Sequence, residues 1–426
     1  MPAQTAAQPA FTMIVSRMRI AFIAMAGALA FAGCSHEIAF VDPAPIPIDS
    51  TGLVGANPVE LATLGHGVVN ERYSAEVWVR GNTAYTSTWN FRGINGGDVV
   101  KIWDVSGDQP LLVDSVKISV AGTTGDVQVS DDGLLLAVAI EPTGVGSLAL
   151  FSLANPRKPQ LITRYQSSNV VSGVHTAEIA RVNGTLYAFC SIDPANGVPA
   201  RLVILDLTNP ATPKEVTVLT LGAPFQHDVF VRNGLLFTAE WDDGLGVWDI
   251  GAISGSVAAP KRLGRIKTVG GQVHNVYWFI DPLNSDKRYA FVGQEGPGQI
   301  GFSSTGDIHV VDISNFSALK EVAYYSVPNA GTHNFSVDED RGLLYAAYYN
   351  AGVRVLDIRG DLATCSAGQK SADGRCNLAL MGREKARVSG DTERGILYVW
   401  GVQYLNNALY ATDMITGLWK FRAATR

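Results

Sequence analysis

Val100-Lys101-Ile102-Trp103-Asp104, Leu202-Val203-Ile204-Leu205-Asp206, Leu245-Gly246-Val247-Trp248-Asp249, Ile308-His309-Val310-Val311-Asp312 and Val353-Arg354-Val355-Leu356-Asp357 share one pattern, an aliphatic run that ends on Asp. A weaker copy is Leu148-Ala149-Leu150-Phe151, with Ser152 in the Asp position. Around each copy the order is the same. An apolar strand, a Gly/Asn/Asp turn and a small-and-aromatic strand come before it, and a Pro turn and a last strand follow. Four short strands repeated about every 40–50 residues are the signature of a β-propeller. First strands begin near Ala75, Asp126, His175, His227, His274, His333 and Trp400, which sets the expectation at seven blades.

The last repeat stops early. Asn406 to Asp413 matches second-strand sequence and Gly417 to Phe421 third-strand sequence, but no fourth strand follows. Asn57 to Gly65 looks like the fourth strand Thr212 to Leu219. The N-terminal strand is therefore expected to complete the C-terminal blade, which pairs an edge that would otherwise be open. The repeated motif, with Asn209-Pro210-Ala211-Thr212-Pro213 after one copy, resembles the LVIVD-repeat family over about residues 57–422. That resemblance implies an all-β, seven-bladed propeller of four-stranded blades. It implies little about function, because members are mostly named for the repeat alone.

Composition agrees with that class. Of 426 residues 47% are apolar and 17% charged, too hydrophobic for a disordered chain. Lys+Arg number 33 against 39 Asp+Glu, and no basic block occurs, so nucleic acid is not an expected partner. Four cysteines in this length exclude a disulfide miniprotein and a CxxC zinc module.

Arg17 and Arg19 precede an apolar stretch, Ile20 to Phe31, closed by Ala32-Gly33-Cys34. This reads as an export signal too short for a comfortable membrane span. The ending resembles the lipobox of bacterial lipoproteins, with Phe31 where Leu is usual and Ser35 after Cys34. The resemblance implies acylation of Cys34 and a membrane partner through a lipid anchor at the bacterial cell envelope, in the outer membrane. A plain secretory signal with an incidental Cys34 is the alternative. The expected organisation is a signal peptide at 1–34, a Pro-rich tether at 35–56 and the propeller at 57–426.

Cys365 and Cys376 flank a polar insertion, and in an exported protein a disulfide is expected to close it. Cys190 lies in an apolar strand and reads as a buried inert thiol. The strand-ending Asp residues read as turn acceptors of backbone N–H groups, not as a metal set.

Histidine supplies the chemical signal. Four of the seven, His175, His227, His274 and His333, fall at one repeat position, just before the first strand of consecutive blades. First strands line a propeller's channel, so these imidazoles are expected on one arc around the axis. Such an arc could hold Cu, Fe or Zn. Alternatively each His satisfies a neighbouring blade's carbonyl, with Asp228, Asn275 and Asn334 capping turns. A second inward position is read at the second-strand ends: Thr88, Ala139, Cys190, Glu240, Gln294, Tyr348 and Asp413. Glu240 is the candidate carboxylate there, a general base or a partner to the histidines. Two functions stay open. One is a binding module whose face takes a protein or small-molecule ligand. The other is a metal-dependent oxidoreductase.

Overall fold

The computed structural model describes residues 59–425 apart from 196–198, 223, 297–305 and 389–397. The signal segment 1–34 with Cys34, and the tether 35–56, lie outside the described residues. The sheets are seven antiparallel meanders, each built around four strands. Blade one is Tyr73–Arg80, Thr83–Trp89, Val99–Asp104 and Leu111–Lys117. Blades two to six start at Val127–Val129, Val174–Val182, Asp228–Arg232, Val273–Trp278 and Phe335–Asp338. First strands of adjacent blades touch all the way round, and blade seven returns to blade one.

Each blade buries both faces against its neighbours, so the inner strands read as continuous apolar runs. In Val99–Asp104 only the final Asp escapes full burial. The described core falls into seven clusters, each drawn mainly from two neighbouring blades. Tyr85, Val100 and Ile102 of blade one meet Val127, Val138 and Phe151 of blade two. Fourth strands sit at the rim and alternate or face solvent, as in Leu111–Lys117.

Blade seven consists of Val399–Leu405, Ala408–Asp413, Gly417–Thr425 and Val59–Val68. The N-terminal strand pairs antiparallel with the C-terminal one, from Val59↔Thr425 to Val68↔Gly417, with one irregularity between Thr63 and Gly65. Gly67 is required there. A Cβ at that position would lie 2.5 Å from the Trp103 ring of blade one.

The repeated Asp closes the turn after its strand. Asp104, Asp206, Asp312 and Asp357 each accept an N–H two residues on. Asp249 accepts five, from Gly251, Ala252, Ile253, Ser254 and Gly255 at 2.6–3.0 Å. Burial alone would raise its pKa, but the five N–H groups hold it well below the usual carboxylate range. A depressed folded-state pKa adds stability above the unfolded value of about 3.9, and this is lost as pH falls further. Asp249→Asn is therefore expected to lower the melting temperature at pH 7 and to flatten its fall below about pH 4. Melts of both proteins from pH 7 to 3 check this.

Cys365 and Cys376 form the expected disulfide. The insertion it closes reaches the outer edge of blade five, where Cys376 and Asn377 run parallel to Lys320–Tyr325. Cys365→Ser/Cys376→Ser is expected to cost about 3 kcal/mol by the loop-closure argument, read as a lower midpoint in urea. Cys190 is free and buried, as its strand suggests.

Candidate functional site

Backbone irregularities aim the histidines. Val174 pairs with Ile192 and Thr176 with Ser191, which leaves His175 as the extra residue of a bulge. His274 is extra between Val273↔Gln294 and Asn275↔Gly293, and Trp400 between Val399↔Asp413 and Gly401↔Thr412. Bulges turn a side chain out of the regular alternation. In blades four and six the histidine sits just ahead of its strand. There the N–H of His227 donates to Ala239 O and that of His333 to Ala347 O, both at 2.9 Å.

The four imidazoles line one cavity of about 380 Å³ on the propeller axis. Their rings touch in sequence, with centroids 4.4 Å apart for His175–His227, 3.9 Å for His227–His274 and 4.2 Å for His274–His333. Trp400 extends the arc 4.2 Å beyond His333. Two aromatic residues flank it from the turns after second strands. Trp241 stacks on His227 at 5.4 Å, and Tyr349 meets His333 at 5.3 Å. Trp241 has φ 46° and Tyr349 φ 41°, a left-handed conformation costly for large side chains. Strain of this kind is retained where neighbouring groups over-determine the position.

The histidines have different partners. His175 Nδ1 bonds Glu141 at 2.7 Å, and its Nε2 lies 3.0 Å from His227 Nε2. Burial would lower the His175 pKa, but the Glu141 and Asp193 carboxylates raise it to about 10. His274 is 2% exposed, and its Nδ1 has no hydrogen-bond partner among the described residues. Burial, then the neighbouring His333 and His175, push its pKa well down. His333 is lowered in the same way, first by burial and then by His227 and His175. A backbone carbonyl, that of Trp400, accepts from His333, whereas Nδ1 of His274 has no such partner among the described residues.

Glu295, just past the second strand of blade five, joins this group. Donor atoms of His227, His274 and Glu295 lie within 4.8 Å of one another, and all three residues are buried. The Tyr349 hydroxyl donates to Glu295 at 2.5 Å. A second trio, Glu141, His175 and Asp193, meets the same distance test. Two imidazoles and one carboxylate form a set that suits a first-row transition ion. The signal for Glu295 in the sequence is its place one residue after the second-strand end Gln294, in a Gly-rich loop that reads only as a connection.

Glu240 does not line the cavity. Its carboxylate accepts from Thr238 Oγ1 at 2.7 Å and pairs with Arg265 at 2.6 Å and Arg262 at 3.5 Å. The other second-strand ends also stay away from the cavity lining. Gln294 binds His309 Nε2 at 2.7 Å, Thr88 donates to Val99 O at 2.7 Å, and Cys190 packs in the core between blades two and three. The first strand of each blade stands between these side chains and the axis, about 4.8 Å nearer to it. The reading of a second inward ring is corrected accordingly.

Residues 303–327 match the model of the LVIVD repeat. This chain is a seven-bladed β-propeller that carries an LVIVD repeat. No curated protein matches it by sequence. Among solved structures it is similar to Sqt1 from Saccharomyces cerevisiae, at 10% identity and a TM-score of 0.54, with 86% of this chain and 87% of that chain covered. At that identity the likeness concerns the fold.

Beyond the histidines, the propeller lines its channel with carboxylates. Glu76, Asp126, Glu178 and Asp228 all face the cavity. Burial pushes Glu76 up to about 8, Asp126 to about 6 and Asp228 to about 7, with the Asp126 charge adding to the first and third. Glu178 is raised well above its usual range by burial and then by Asp228.

Proposed function

We propose that this propeller holds one transition-metal ion beside the histidines that line its axial cavity and acts there as a metal-dependent oxidoreductase. His227, His274 and Glu295 are the ligands. The observation that carries this reading is His274. A buried imidazole nitrogen without a partner costs about 1–3 kcal/mol, and a metal bond would remove that cost. The low pKa of the His274 imidazole keeps its lone pair available to a cation at neutral pH. Iron suits a two-histidine, one-carboxylate set with open positions, and Cu and Zn also suit imidazole. When bound, the ion would supply redox or Lewis-acid chemistry at the head of the cavity. His175, bonded to both Glu141 and His227, fixes the orientation of the His227 ring. Tyr349 does the same for Glu295.

The export signal and the lipobox-like Phe31-Ala32-Gly33-Cys34 favour a lipid-anchored protein of the bacterial cell envelope, in the outer membrane. Cys34→Ser is expected to move the protein out of the membrane fraction.

Elemental analysis of untagged protein tests the metal reading. Near-stoichiometric Fe, Cu or Zn is expected, and it is expected to vanish in His227→Ala/His274→Ala. A wild type of normal stability that takes up no metal on reconstitution would sink it. That outcome would favour a binding module instead, a reading supported by the loop Asn90–Gly97. There Ile94 is 96% exposed, while Arg92 ties the loop to Ile415 O at 2.7 Å and so holds it out for a protein or small-molecule ligand.

A further inference from the structure

We infer that the molecule admitted to this cavity is a small organic cation, a primary or secondary ammonium carrying an apolar or aromatic body. The inference deepens the metal-centre reading by naming its substrate class, but its observations are separate from the ligand set.

The first observation is charge. Glu76, Asp126, Glu178 and Asp228 come from four different blades and line one cavity, and no Lys or Arg lines it among the described residues. Their protein partners are neutral. The Asn334 amide donates to Glu76, the Gln128 amide to Glu178 at 2.8 Å, and the N–H groups of Ala177 and Val229 to Asp126 and Asp228. His175, which lines the same cavity, already faces Glu141 and Asp193. Burial favours the neutral form of Glu76 and Glu178, and a cationic ligand would offset that by pairing with the ionised form.

The second observation is an open acceptor. Asn275 lines the same cavity, is 3% exposed, and its Oδ1 has no hydrogen-bond partner among the described residues. An ammonium has two or three N–H donors, enough for a carboxylate and this amide oxygen together.

The third observation separates an organic from an inorganic cation. Neither trio whose donor atoms gather within 4.8 Å includes any of these four carboxylates. A small metal ion needs oxygens closing around it at 2.0–2.6 Å. Carboxyl groups spread over a cavity of about 380 Å³ suit a larger cation. At the far end of the first strands Trp78, Phe230, Tyr277 and Tyr404 line the cavity, each half-buried. These faces would hold an apolar body and add cation–π attraction.

The test is calorimetric titration of the full-length protein, stripped of metal by chelator, with three probes of similar size. These are 2-phenylethylammonium, 2-phenylethanol and 3-phenylpropionate. The ammonium is expected to bind at least about tenfold more tightly than the alcohol, with no measurable binding of the carboxylate. Glu76→Gln/Glu178→Gln is expected to reduce that preference to about threefold or less, with a thermal melt confirming that the variant is folded. The probe series on wild-type protein stands by itself if the variant does not fold. Equal or tighter binding of the alcohol or the carboxylate would overturn the inference. So would binding of none of the three, or tight calcium binding that displaces the ammonium. Because the titration uses metal-free protein, ammonium selectivity without metal uptake would sink the metal reading alone. Metal uptake without selectivity would sink this one alone.

Discussion

Glu295→Gln is expected to weaken metal binding by about 100-fold or more, whereas Glu240→Gln leaves it unchanged. The two residues are chemically alike, and each follows a second strand. Glu295 has its donor oxygen within 4.8 Å of the donor nitrogens of His227 and His274. Replacing it with an amide removes the anionic ligand and keeps the shape. Glu240 faces Arg265 and Arg262 instead. Its loss would leave the Arg265 guanidinium without a buried partner 2.6 Å away, so the cost falls on stability. Competition against a chelator of known affinity reads the first effect, and a urea melt reads the second. Equal metal affinity for wild type and Glu295→Gln would remove Glu295 from the ligand set.

Deleting residues 57–68 is expected to destabilise the entire ring by at least about 5 kcal/mol, lowering the melting temperature by about 10 °C or more. The strand Val59–Val68 pairs with Gly417–Thr425 along its whole length. Val59 also belongs to the core shared by blades six and seven. Its removal would leave Gly417–Thr425 as an unpaired edge and open the route to edge-to-edge aggregation. Differential scanning calorimetry checks the shift. An unchanged transition would mean that this strand contributes little to holding the ring together.

The propeller was legible in the sequence because its repeat is local. Each blade needs an aliphatic third strand ending on Asp, and Asp249 shows the reason, with five backbone N–H groups waiting for that carboxylate. The arc of His175, His227, His274 and His333 was legible for the same reason. Equal positions in successive blades must stand side by side around the axis, and the four rings do touch in order. The disulfide was readable from two cysteines bracketing one insertion.

The carboxylate partner was not legible. Glu240 and Glu295 each directly follow a second strand, but Glu240 stands at the repeat position of Gln294, so Glu295 lies one repeat position further on, and alternation turns neighbouring residues in opposite directions. Only the folded turns after the second strands show that Glu295, like Trp241 and Tyr349, meets the histidines. The acidic channel wall is likewise a product of closure. Glu76, Asp126 and Asp228 share the repeat position after the histidine ring, Glu178 does not, and only the first strands packed side by side bring all four to one cavity. Sequence by itself determined the repeat, the blade count and the histidine arc, because these follow from hydrogen bonding and burial within one blade. Tertiary structure decided which acid stands by the imidazoles and what charge faces the ligand, because both depend on side chains converging from blades far apart along the chain.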